Sequence, residues 1–104
     1  AAFNARDLDR ALSRMTEDVA WPNAWEGGQI RGRQGVRDYW TRQWAQIDPR
    51  VDPRAVQLRP DGRLEVEVHQ TVRSLAGEML DERTVLHVYQ LDEGLVARMD
   101  VESP

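Results

Sequence analysis

From Leu64 to Arg73 the chain alternates without a break. Leu64, Val66, Val68, Gln70 and Val72 fall on one side of an extended backbone, and Glu65, Glu67, His69, Thr71 and Arg73 fall on the other. A helix cannot use that period, because its apolar positions must recur every three or four residues. The stretch is therefore a strand with one buried face, and it commits the second half of the chain to a sheet. Ala55 to Leu58 leads into it through a Pro60-Asp61-Gly62 turn. Thr84 to Leu91 and Leu95 to Glu102 follow, separated by Asp92-Glu93-Gly94.

The first half has a different period. Asp7 is placed to cap a short helix in which Leu8, Ala11, Leu12 and Met15 share a face. Thr16-Glu17-Asp18 ends it, and Val19-Ala20-Trp21 is a short extended piece stopped by Pro22. A loop holding Trp25, Gly27, Gly28 and Gly32 leads to the longest helical pattern. There Val36, Tyr39, Trp40, Gln43, Trp44 and Ile47 trace one stripe, and Asp48-Pro49 is read as its stop. Ala1, Ala2 and Phe3 read as the end of a helix whose beginning lies before Ala1. Helices first and strands after give an α+β fold, with three N-terminal helices packed on a curved antiparallel sheet. Its 104 residues make one domain, residues 1–104.

Several functions are excluded or disfavoured by what the chain lacks. No cysteine is present, so thiolate nucleophiles and cysteine-held zinc are out, and a reducing, cytoplasmic location is expected. All 14 basic residues are arginine, so no lysine can form a Schiff base. The net charge of −4, with arginines scattered among acids, argues against nucleic acid as a partner. No apolar run approaches the length of a membrane span, so no membrane partner is expected.

The turns set the register of the sheet. With Ala76-Gly77 as a two-residue loop, Val72 lies opposite Asp81, Gln70 opposite Arg83, Val68 opposite Val85 and Val66 opposite His87. Directly paired residues share a face. His87, Tyr89 and Gln70 therefore join the apolar face, whereas His69 lies on the other side beside Thr84. The two histidines do not converge, and no metal or other cofactor is expected. The last hairpin admits two registers. A two-residue Glu93-Gly94 loop pairs His87 with Asp100 and turns both inward. A three-residue loop with a bulge pairs His87 with Met99 and turns Asp100 out. The apolar set Leu95, Ala97, Met99 and Val101 favours the second, and acid–base chemistry favours the first. On the outer face Leu86 and Val88 would meet water, so a homodimer through that face is expected.

The stretches Asn4-Ala5-Arg6-Asp7-Leu8-Asp9, Glu17-Asp18-Val19, Gly32-Arg33-Gln34-Gly35-Val36-Arg37-Asp38-Tyr39-Trp40 and Gly94-Leu95-Val96 carry a resemblance. In their order they resemble the nuclear transport factor 2-like superfamily, and within it the SnoaL-like and ketosteroid isomerase-like branch. The resemblance spans nearly the whole chain and implies a cone-shaped fold with one central pocket. In the isomerases a carboxylate base follows the first strand, where this chain has Asn23. Their oxyanion-binding tyrosine would precede Ala1, and the acid beside it corresponds to His87. In the cyclases an aspartate on the last strand works with a histidine on the strand before, and Asp100 and His87 occupy those strands. The resemblance thus implies cofactor-independent proton transfer next to a carbonyl.

The candidate catalytic residues are accordingly His87 and Asp100. Asn23, Trp25, Tyr39, Trp40, Gln70 and Tyr89 are the candidate contacts to a small apolar or aromatic molecule, the aromatics as stacking surfaces. The competing expectation is a module of the same fold that binds a ligand or a partner without catalysis.

Overall fold

Asp48 and Pro49, read above as the stop of the long helix, lie inside a strand. The computed structural model describes residues 3–23 and 27–104. Among them the elements run α1 (Leu8–Leu12), β1 (Met15–Pro22), β2 (Gln29–Arg31), α2 (Gly32–Trp44), β3 (Ile47–Leu58), β4 (Leu64–Ser74), β5 (Met79–Asp92) and β6 (Leu95–Glu102). The helix ends at Trp44, and the chain enters β3 two residues before Pro49. Prolines are tolerated there because β3 is an edge strand, bonded only to β4. Val51, midway between Pro49 and Pro53, turns its own N–H and C=O away from β4 to the Asn4 side chain. Positions two apart on a strand point the same way, so the missing N–H groups of Pro49 and Pro53 cost no ladder bond.

The six strands form one sheet in the order β2-β1-β6-β5-β4-β3. It is mixed rather than antiparallel, because β1 runs parallel to β6. Two helices, not three, are formed among the described residues, and Phe3 to Arg6 make a turn instead of a helix end. Met15, expected at the end of α1, opens β1 instead. Its carbonyl takes the guanidinium of Arg33 at 3.0 Å, and the Val96 N–H closes onto the Arg14 carbonyl at 2.8 Å. Asp7 caps α1 as its sequence position implies, accepting from the Arg10 N–H.

Both hairpins of the second half carry a bulge. Ser74 bonds Glu78 around a three-residue loop, not two, but Leu80 is an extra residue on β5, so Val66 still pairs with His87 and Gln70 with Arg83. In the last hairpin Glu93 and Gly94 have φ of 51° and 83°, the left-handed pair of a two-residue turn that sets Asp92 opposite Leu95. Ala97 then bulges, and the register slips by one: His87 pairs with Val101, Tyr89 with Met99 and Val88 with Asp100.

The helices lie against the sheet through Val19 and Val36, both 0% exposed, with Tyr39 and Trp40 close behind. On the outer face Val88 does not meet water, since one copy of the chain leaves it 1% exposed. It sits among ion pairs of its neighbours, Arg98 with Asp100 and Arg59 with Glu65 and Glu102. Leu86 beside it stays partly exposed.

Candidate functional site

Between α2 and the inner sheet face lies a cavity of about 170 Å³. An apolar cavity of about 150 Å³ is enough to hold a benzene ring. Trp40 and Tyr39 project into it from one stripe of α2, as residues one turn apart on a buried face must. Trp21 comes from β1 and meets Trp40 edge to face with ring centroids 5.3 Å apart. The opposite wall is the sheet: Gln70 from β4, His87 and Tyr89 from β5, and Met99 and Val101 from β6.

Polar groups in this wall are few, and they are uncharged. His87 is 8% exposed. Loss of hydration pushes its pKa down to about 4, so at neutral pH it is a neutral imidazole. The same cause pushes Tyr89 up to about 12 and keeps its phenol protonated. The Tyr89 hydroxyl stands 3.5 Å from His87 Nδ1. That is long for a hydrogen bond between such groups, so neither is fully satisfied by the other.

Of the sequence candidates, Tyr39, Trp40, Gln70, His87 and Tyr89 are brought together at this cavity. Asp100 is not. The bulge at Ala97 turns it to the outer face, where its carboxylate accepts from the Arg98 guanidinium at 2.8 Å. This corrects the expectation that it joins His87. Asn23 does not line the cavity either; its backbone closes the loop, accepting from the Gly27 N–H and donating to the Gly28 carbonyl. Trp25 lies outside the described residues. Among the described residues no group of three histidines or carboxylates is placed to hold a metal.

The N-terminal turn was not foreseen as part of the site. Phe3 lines the cavity and packs on Trp40 and Trp44 at 5.2 and 5.4 Å. Asn4 holds this turn to the edge of β3 by accepting from Val51 N–H at 3.0 Å and donating to its carbonyl at 2.8 Å. Arg6, with a positive φ of 60°, completes the clasp by bonding Asp48 and the Pro49 carbonyl while lying over the Phe3 and Trp44 rings. Asparagine and arginine in a run of polar residues gave no periodic signal for this.

The sequence matches the model of the SnoaL-like domain family over residues 1–99. No curated protein matches it. Among solved structures, TerC co-crystallised with polyporic acid superposes with a TM-score of 0.83 at 24% identity, covering 99% of this chain and 83% of that one. An NTF2-like protein of unknown function from Burkholderia pseudomallei gives 0.82 at 21% identity, covering 99% and 82%. Rv0760c from Mycobacterium tuberculosis, in complex with estradiol-17β-hemisuccinate, gives 0.82 at 16% identity, covering 96% and 83%. At such identities the likeness is one of fold.

Proposed function

The chain belongs to the SnoaL-like domain family, and we propose that it binds a small, flat, mostly apolar carbonyl compound whose oxygen is held by Tyr89 with His87 behind it. The observation that carries this reading is the 3.5 Å approach of Tyr89 to His87 Nδ1 in an otherwise apolar cavity. A proton on His87 Nδ1 donates to the Tyr89 oxygen, which frees the Tyr89 O–H to donate to a ligand carbonyl. Chained donors of this kind strengthen one another. Ring faces of Trp40 and Trp21 supply flat apolar walls for the rest of the molecule. The neutrality of both titratable groups selects an uncharged ligand, because a buried charge would find no counter-charge here.

Proton transfer beside the carbonyl is the second reading, and the same tautomer favours it. It leaves His87 Nε2 as a bare acceptor, while Tyr89 steadies the negative charge that would grow on the oxygen. The step would remove a proton from the carbon next to the carbonyl and return it to a neighbouring carbon, with no cofactor. Asp100 takes no part in it.

The test uses acetophenone as the probe. Its binding is followed by quenching of the tryptophan fluorescence that Trp21 and Trp40 contribute, and exchange of its methyl protons for deuterium is followed by NMR. Saturable binding that weakens in Tyr89→Phe supports the reading, and exchange lost in His87→Ala adds the second. Absence of binding at millimolar acetophenone contradicts both.

We also retain a homodimer through the outer sheet face, supported by the partial exposure of Leu86 there. With Val88 already covered, such an interface is modest, with a dissociation constant on the order of tens of micromolar.

A further inference from the structure

The polar pair sits at the centre of a larger apolar surface. On the inner face, His87 has Val101 on one side and Val66 on the other, and Val66 pairs in turn with Val56 of the edge strand. One row away, Tyr89 has Met99 on one side and Leu64 on the other, and Leu64 pairs with Leu58. Directly paired residues share a face, so Leu64, Val66, Val56 and Leu58 form a shelf that starts beside His87 and Tyr89. None of the four lines the cavity. Val56 is 64% exposed and Leu58 68%, so nothing within the chain covers the outer half of the shelf.

Two large apolar side chains left open on an edge strand are an aggregation hazard, which a chain normally avoids with charges. The intervening Gln57 is polar, and it pairs with Glu65 of the outer face. The apolar character is thus confined to the inner face, in line with the cavity wall. From β5 to β3 the shelf crosses two strand spacings, about 10 Å. We propose that the ligand carries an apolar tail of about that length, which leaves the cavity past Tyr89 and lies on Leu64, Val66, Val56 and Leu58. The ligand class is then an elongated amphiphile with a carbonyl head. This rests on the carbonyl-binding reading above and extends it to a second subsite.

The experiment is a binding series of alkyl phenyl ketones, acetophenone through octanophenone, on the wild-type chain and on a Val56→Asp, Leu58→Asp double variant. Both replaced side chains are mostly exposed, so circular dichroism and thermal unfolding should show a folded variant. A fully buried methylene is worth about fourfold in affinity, and a shelf that covers one side of the tail should give about twofold per methylene. The expected result is a rise of about 16-fold over four added methylenes in the wild type, flattening once the tail outruns the shelf. In the double variant acetophenone binds as before and the rise falls to less than about threefold, a residue left by Leu64 and Val66.

Equal slopes in both proteins, with acetophenone bound by both, overturn the shelf and leave the carbonyl-binding reading standing. Failure of every ketone to bind overturns both. A wild-type dimer that the double variant converts to monomer assigns the shelf to a second copy of the chain, which also overturns the proposal.

Discussion

Tyr89 and His87, two residues apart on one face of β5, hold their hydroxyl and Nδ1 3.5 Å from each other in a wall that is otherwise apolar. Replacing Tyr89 by Phe keeps the ring and removes the donor. Acetophenone affinity should fall about tenfold, the worth of one hydrogen bond made away from water. Calorimetric titration measures it. An unchanged affinity would mean that the ligand oxygen is held elsewhere.

Burial of His87 makes stability depend on pH. Its folded pKa of about 4 lies below the ordinary 6.5. Between those values the unfolded chain binds a proton that the folded chain refuses, so stability falls as pH drops from about 6.5 to about 4 and loses no more from this group below that. The loss is at most about 3 kcal/mol. Urea unfolding across this range should show it in the wild type and not in His87→Leu. Because a neutral wall replaces a buried polar group, that variant should be as stable as wild type at pH 7 or more so. A pH dependence that persists in His87→Leu would place its origin in other groups.

Asp100 provides a control for the bulge at Ala97. Its carboxylate pairs with Arg98 on the outer face. Asp100→Asn should leave acetophenone affinity unchanged and alter stability by less than about 1 kcal/mol, as for other exposed ion pairs. A tenfold loss of affinity would show that Asp100 reaches the ligand after all.

Asn4 ties the N-terminal turn to the edge of the sheet through two bonds to Val51. Asn4→Ala should cost about 1–2 kcal/mol in denaturant unfolding. It should also weaken acetophenone binding, because Phe3 loses the anchor that holds it in the cavity wall. Loss of stability with full affinity would separate the clasp from the site.

Leu86 tests the outer face as an interface. If two copies meet there, sedimentation of the wild type at tens of micromolar should show a dimer, and Leu86→Asp should show a monomer. A wild-type monomer at that concentration ends the idea.

The inner face of β4 and β5 was legible in the sequence because period two leaves one choice of face, and the pairing of Val66 with His87 follows from it. That pairing survived a wrong loop length only because Leu80 restores the residue that the longer loop removes. The last hairpin had no such compensation. Glu93-Gly94 form the two-residue turn their types suggest, yet a bulge at Ala97, which no residue type announces, reverses the faces of everything after it. Ile47 to Pro53 was misread because proline argues against a strand unless it lies at an edge, and edge position is a property of the whole sheet. The same holds for Phe3, Asn4 and Arg6, whose roles arise from contacts with β3 more than forty positions away.

The most direct measurement is the infrared carbonyl stretch of ¹³C-labelled acetophenone bound to the protein. A hydrogen bond from Tyr89 draws electron density onto the carbonyl oxygen and weakens the double bond. The bound band should therefore lie below its position in an alkane solvent and return towards that position in Tyr89→Phe. A bound band at the alkane position, or one that stays low in Tyr89→Phe, would contradict the assignment of Tyr89 and His87 as the group that holds the ligand.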